Sequence, residues 1–277
     1  MHLPRPAALM AAVLVLLAPP GVLTAAQPAQ AAPLPVRHFA GHGFDACAAP
    51  SLTTMRRWHR HSRYRAVGIY FGGVNRSCAQ PHLTAHWVRA VDRMGWRLLP
   101  VYAGLQAPCR RSAHRLHRID PRRAGRQGAA QAADAARRAR ALGLAKGSPL
   151  YLDMENYRRG NARCSRAVVD FSVGWTRGLN RRGYRSGFYS SAGSGIADLA
   201  AARRRGRRDL PGTLWYAHWN GRPGTGRAKG LSSRAWHGHR RIHQYRGNVR
   251  ESHGGSALTV DRSTVDAPVA LVARRSR

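Results

Sequence analysis

The run SPLYLDME, residues 148–155, sets two carboxylates inside an otherwise apolar stretch. The setting makes it informative: the chain has 277 residues and only 12 Asp and Glu, of which just Glu155 and Glu251 are Glu. Read as a strand, its side chains alternate, with Leu150, Leu152 and Met154 on one face and Tyr151, Asp153 and Glu155 on the other. An Ala-rich helical segment, 126–143, precedes it and stops at Gly143; a second helix, 165–182, follows and closes at Gly183. A strand between two helices is the unit of a parallel sheet.

The same alternation extends in both directions. Strands are expected at 39–46, 65–72 and 96–103 before this one, and at 184–190, 213–219, 241–246 and 257–261 after it. Helices are expected from Ser51 (as N-cap), over 83–94, over 195–205, and as a last apolar helix from Val265 to Ala273. Eight strands alternating with helices predict an α/β fold, a (β/α)8 barrel of the TIM type. The segments after the sixth and seventh strands are rich in Gly and Arg with little helical signal, so irregularity is expected over the last strands. In such a barrel the apolar face of 148–155 meets the outer helices, and the Tyr-Asp-Glu face points inward. Asp153 and Glu155, about 6.5–7 Å apart along the strand, then sit at the C-terminal rim where barrel sites are built.

Residues 1–31 have the layout of a secretory signal peptide: Arg5, an apolar run from Ala7 to Ala18, and the small-residue end Ala29-Gln30-Ala31. That run is shorter than the roughly 20 residues a membrane span needs. A secreted product is expected, extracellular or associated with the cell wall, with one domain over 32–277, no membrane span, and a monomeric state. The cysteines Cys47, Cys78, Cys109 and Cys164 are widely spaced without a C-x-x-C, which argues for disulfides over zinc and leaves three pairings open.

The formal charge is +35, and of 47 basic residues only Lys146 and Lys229 are lysine. Such a balance suits an anionic partner: a wall polymer, nucleic acid or a membrane surface. With so much Ala, Gly and Pro alongside, it is equally what a GC-rich genome encodes, so charge alone names no function. No specific nucleic-acid motif accompanies the charge, and no G-x-G-x-x-G or G-x-x-x-x-G-K-[ST] is present, so no cofactor is expected. No His accompanies the acids on their strand, so no metal is expected either.

What the carboxylates suit is proton transfer. One carboxyl in a crowded apolar site keeps its proton while its neighbour stays ionised, the division of labour that glycoside hydrolysis requires. Asp45 closes the first strand and Asp261 the eighth; these strands are neighbours in a closed barrel, so the two acids are expected side by side. Tyr70, Tyr102, Tyr189 and Trp219 are candidate platforms for sugar rings, and Gln106, His218 and Gln244 candidate partners for hydroxyl or acetamido groups.

The strings GFDACAAPS (43–51), GIYFGG (68–73), GWRLLPVYAGLQAPC (95–109), LYLDMENY (150–157), GFYSS (187–191) and LWYAHW (214–219) together resemble a secreted glycoside-hydrolase-like domain family of unknown function. Its barrel is similar to family 25 glycoside hydrolases, the lysozyme-type muramidases. The resemblance runs over about 41–270 and implies a TIM-type barrel. In the muramidases an Asp ends strand one and an Asp-x-Glu ends strand four, with the Glu as proton donor. The resemblance carries these onto Asp45, Asp153 and Glu155, and a late Asp onto Asp261. The four cysteines are not a muramidase feature. In the implied barrel each follows one of the first four strands at one rim, which suggests Cys47–Cys78 and Cys109–Cys164. Two functions follow as expectations. One is hydrolysis of bacterial cell-wall glycan (peptidoglycan), with Glu155 as general acid and Asp153 as partner carboxylate. The other is a catalytically silent barrel that holds wall polysaccharide in the same cleft, aided by its Arg surface.

Overall fold

The structure, a computed structural model, describes residues 1–2, 34–112, 115–226, 228 and 230–273; the expected signal peptide lies outside these, its first two residues apart. From the N-terminal side come β1 (Arg37–Asp45), α1 (Leu52–His61), β2 (Tyr64–Gly72), α2 (Ala85–Arg93) and β3 (Arg97–Tyr102). They are followed by α3 (Ala124–Ala141), β4 (Pro149–Asp153), α4 (Ala162–Asn180), β5 (Arg185–Ser191) and α5 (Gly195–Arg204). Three strands complete the order: β6 (Thr213–Ala217), β7 (Arg241–His253) and β8 (Ser256–Val269). The strands close into a barrel in chain order. Local chemistry sets the helix ends as read from the sequence. Ser51 caps α1 by accepting from the Thr54 N–H, and Gly143 and Gly183, both at φ +78°, end α3 and α4 in the left-handed conformation.

Strands β1 to β7 pair in parallel, but β8 runs antiparallel to both β7 and β1. This is the form the irregularity takes. No crossover helix separates β7 from β8. Gly254 and Gly255 alone connect them, at φ +57° and +74°, a two-residue hairpin turn that only antiparallel strands can share. The helix expected over 265–273 is corrected: Val265 to Val269 are the end of β8, paired residue by residue with Arg37 to Gly41 of β1. Val265, Ala267 and Val269 point into the barrel, and the apolar run follows the period two of a strand, not a helical period. The connection between β6 and β7 is organised without a helix. The buried Arg241 guanidinium donates to the carbonyls of Ser232 at 2.7 Å, Ser233 at 3.1 Å and Gly226 at 3.2 Å.

Alternation along the strands makes two cores. Outward residues such as Phe44, Val67, Leu98, Leu152 and Phe188 pack under the helices, while Leu99, Val101, Tyr151, Trp215, Ile242 and Val265 fill the barrel interior. Inward-facing glycines make room for the large rings. A Cβ at Gly187 would lie 2.3 Å from the Tyr151 ring, and one at Gly68 3.0 Å from the tip of Trp215. Tyr151 and Trp215 meet edge to face at 5.7 Å. Their polar ends are satisfied, Tyr151 by the Pro268 carbonyl at 2.8 Å and Trp215 by Ser263 Oγ at 3.2 Å. Each ring buried this way contributes about 2–3 kcal/mol, and together they plug the barrel beneath its mouth.

Candidate active site

Above that plug opens a pocket of about 800 Å³, lined by Asp45, Tyr70, Gln106, Asp153, Glu155 and Asp261 together with arginines from the surrounding loops. Its two acid-bearing walls are built differently.

The first wall is the end of β4. The inward parity of Tyr151 carries to Asp153, which is 4% exposed. Glu155 lies two residues on, in the segment just past the strand, whose last residue is Asp153 rather than Glu155. Gln106, 2% exposed in the loop after β3, clamps this segment. Its Nε2 donates to the Asp153 carbonyl and its Oε1 accepts from the Glu155 N–H, both at 2.9 Å. The Gln106 amide is thus engaged with main chain instead of being free for a ligand hydroxyl. Glu155 is open to the pocket, with its side chain 45% exposed, and its carboxylate lies 3.6 Å from Arg110 Nη1. Arg110 is held in turn by the Asn156 carbonyl at 2.7 Å, and it follows Cys109, which is bonded to Cys164.

The second wall joins β1 to β8. Asp45 and Asp261 are direct cross-strand partners. They lie side by side as expected, although Asp261 stands within β8 and not at its end, because the strand enters the barrel from the mouth. Gln244 Nε2 reaches both, at 3.2 Å to Asp45 Oδ1 and 3.2 Å to Asp261 Oδ2. Its Oε1 accepts from the Tyr189 hydroxyl and from Trp219 Nε1, each at 2.9 Å, which orients the amide with its donors toward the acids. Tyr70 donates to Asp45 Oδ2 at 3.2 Å, and the Asn248 N–H to Asp261 Oδ1 at 2.7 Å.

Burial dominates the electrostatics. Asp45 is pushed well above the usual carboxylate range by burial first and then by the charge of Asp261, against the hydrogen bonds of Gln244 and Tyr70. Asp153 is likewise pushed well up by burial and by Glu155, with Arg110 opposing. Asp261 is raised by burial, against the Asn248 N–H. Among the described residues Asp45, Asp153 and Asp261 have no ion-pair partner, whereas every other Asp and Glu is paired with an Arg or His. One oxygen of Asp153, Oδ1, is buried without any hydrogen-bond partner. In a chain of charge +35 the acids left without a cation converge on one pocket.

Most of the expected site residues come together here. Tyr70 lines the pocket, Tyr189 reaches it through Gln244, and Trp219 is 55% exposed beside the same amide. Tyr102 does not. It faces outward, donating to Asp134 of α3 at 2.8 Å and packing near Trp175, as the opposite parity to inward Val101 requires. His218 is outside the lining as well, its Nδ1 near Asn220. Residues not anticipated from the sequence are Arg76, Arg110, Arg115 and Asn248, all on the pocket wall. The arginines carried no signal among so many others. Asn248 had one, since it follows Gly247 in a stretch where β7 bulges, and it adopts φ +55°. Both disulfides lie as expected, Cys47–Cys78 and Cys109–Cys164, with Cα separations of 5.7 and 5.9 Å. Among the described residues no cluster of His, Cys, Asp or Glu is arranged to hold a metal ion, and no helix is long and apolar enough to cross a membrane.

Comparison with known proteins places the chain as follows. A family model described as "Rv2525c-like, glycoside hydrolase-like domain" matches residues 56–265. No curated protein matches at a significant level. Among solved structures, an uncharacterized B. stearothermophilus protein superposes with a TM-score of 0.54 at 17% identity, covering 81% of this chain and 95% of that one. The modular autolysin LytC from Streptococcus pneumoniae gives 0.52 at 14% identity, with 84% of this chain and 47% of that one covered. The Clostridium perfringens spore cortex lytic enzyme SleM gives 0.51 at 13%, with 82% and 67% covered. At these identities the structural likeness establishes a shared fold.

Proposed function

Because the chain belongs to the Rv2525c-like, glycoside hydrolase-like domain family, we propose that it is a secreted, monomeric glycoside hydrolase acting on bacterial cell-wall glycan, with residues 1–31 as its signal peptide and 32–277 as one catalytic domain. The observation that carries this reading is the convergence of Asp45, Asp153 and Asp261, without cationic partners, on the pocket that Glu155 enters. A buried carboxylate without a cation costs several kcal/mol of solvation, a cost that a purely structural site would relieve with one of the many arginines. Two of the structural neighbours, an autolysin and a spore cortex lytic enzyme, are consistent with a wall substrate.

Glu155 is the general acid in this reading, because it is the carboxyl open to the pocket and can reach a glycosidic oxygen. It gives its proton to the leaving oxygen as the bond to the anomeric carbon breaks. Asp153, behind it, is the partner carboxylate facing the oxocarbenium-like centre. Asp45 and Asp261, held by Gln244, orient the water whose oxygen bonds to that carbon and whose proton returns to a carboxylate. The Tyr70 ring on the pocket wall and the exposed Trp219 ring supply surfaces for the sugar, while Tyr189 acts through Gln244.

Incubation of the secreted protein with purified peptidoglycan should release reducing ends, and Glu155→Gln should lower that release about 10²- to 10⁴-fold while still binding the glycan. No release by the wild-type protein, with glycan binding retained by both, would replace the hydrolase with a barrel that only holds the polymer.

A further inference from the structure

Outside the barrel, two hollows flank α4 on the face away from its strand. One, of about 380 Å³ between α3 and α4, is rimmed by Arg122, Arg126, Arg177 and Arg181. The other, of about 740 Å³ between α4 and α5, is rimmed by Arg159, Arg166, Arg205 and Arg208. They meet at Asp170 and Arg207, which line both and form an ion pair at 2.6 Å. The acids present, Asp170 and Asp198, are already neutralised, by Arg207 and Arg159. Arg122, Arg126, Arg166, Arg181, Arg205 and Arg208 have no carboxylate partner among the described residues and are exposed. The floor is made of small side chains for a packing reason. Helices α3 and α4 approach so closely that a Cβ on Gly128 would lie 2.1 Å from the Phe171 carbonyl, and one on Gly174 2.0 Å from that of Gly125. Glycines and alanines at the crossing leave a shallow trough, and long guanidinium side chains stand along its edges.

We propose that this trough binds a linear polymer of phosphodiester-linked polyols, distinct from the glycan in the mouth and independent of its cleavage. A row of guanidinium groups matches repeated phosphates, each of which accepts two parallel N–H bonds from one fork. No aromatic side chain lines either hollow, so the trough lacks the stacking surfaces with which single-stranded nucleic acids are held. A backbone of phosphates and small polyols needs only charge and a smooth floor, and both are present. Such a contact would tether the barrel to an anionic matrix and raise the local concentration of the substrate met by the mouth.

The test uses the secreted protein and synthetic poly(glycerol phosphate), with affinity measured between 50 and 300 mM NaCl, values chosen to span about a Debye length of 14 to 6 Å. Arg122→Gln/Arg126→Gln/Arg181→Gln and Arg166→Gln/Arg205→Gln/Arg208→Gln should each weaken binding on the order of ten-fold and flatten the logarithmic salt slope by about 2. A control set of exposed arginines on α1 and α2, Arg56→Gln/Arg60→Gln/Arg93→Gln, should change affinity less than about two-fold, as should Glu155→Gln. Equal melting temperatures show that all variants fold. Equal loss in the control set would make the binding diffuse charge and overturn the proposal, as would no salt-dependent binding by the wild-type protein. Tighter binding of single-stranded DNA of equal charge would overturn it in favour of nucleic acid.

Discussion

The two acid-bearing walls of the mouth solve the same electrostatic problem in opposite ways. On the β4 wall, Asp153 and Glu155 follow one another along a single chain segment, and a cation, Arg110, faces the exposed member. On the β1–β8 wall, Asp45 and Asp261 come from segments more than 200 residues apart, meet across an antiparallel ladder, and share a neutral donor, Gln244. On the first wall a cation faces the exposed acid, and on the second neutral donors hold both acids; burial pushes the deepest carboxyl of each wall, Asp153 and Asp45, well above the usual carboxylate range. A glutamine serves each wall. Gln106 fixes the main chain around Asp153 and Glu155, and Gln244 fixes the carboxyl groups themselves.

Each wall also has a disulfide, and removing them should separate the walls most strongly. Cys109–Cys164 closes a loop of 55 residues and Cys47–Cys78 one of 31, so loss of either lowers stability by about 4 kcal/mol by loop entropy alone. Only the Cys109→Ser/Cys164→Ser variant releases the segment carrying Arg110 beside Glu155. Its residual activity at a temperature where it remains folded should therefore fall below that of Cys47→Ser/Cys78→Ser. Chemical denaturation and turnover assays measure the two effects; equal activity in both variants would show that Arg110 does not need its tether.

Next in size come the glutamines. Gln106→Leu and Gln244→Leu each strand buried polar atoms and should cost about 1–3 kcal/mol. Their pH dependence should differ. Gln244 lowers the Asp45 pKa by donating to it, so its loss should destabilise more at pH 7 than at pH 4, where the carboxyl is neutral. Gln106 bonds main chain only, and its loss should cost nearly the same at both. Denaturation midpoints at the two pH values decide the matter, and a pH-independent Gln244→Leu would undo the contrast.

Smallest is the effect of neutralising the buried acids themselves. Asp45 is raised in the folded state above its ordinary value of 3.8, so its contribution to stability is fully present below that value and is lost as pH rises through the raised one. Asp45→Asn should thus melt above the wild-type protein at pH 7, with the gap closing as pH falls toward 4. Asp261→Asn should show the same sign with a smaller gap, because its pKa is raised less strongly. Thermal melts across pH 4 to 8 would contradict this if Asp45→Asn melted lower at neutral pH.

Much of the β4 wall was legible in the sequence because period two and scarce acids act locally: Tyr151, Asp153 and Glu155 share a face whatever the rest of the chain does. Tyr102 was misplaced although the same parity was available, since a tyrosine near a strand end looks alike on either side. The direction of β8 was missed because an apolar stretch of nine residues fits a helix or a strand, and the choice fell to β1, whose unpaired edge needed a partner along its whole length. Arg110 was one arginine among many until the disulfide and Asn156 fixed it beside Glu155.

By itself, then, the sequence determined the strand–helix alternation, the inward face of 148–155 and the acids at the mouth, because these follow from side-chain geometry within a few residues. Which acids lack a cation, which amide holds them, and how the last strand closes the barrel were decided only by tertiary structure. Those properties depend on distances between segments far apart in the chain and on the burial that sets the strength of every charge among them.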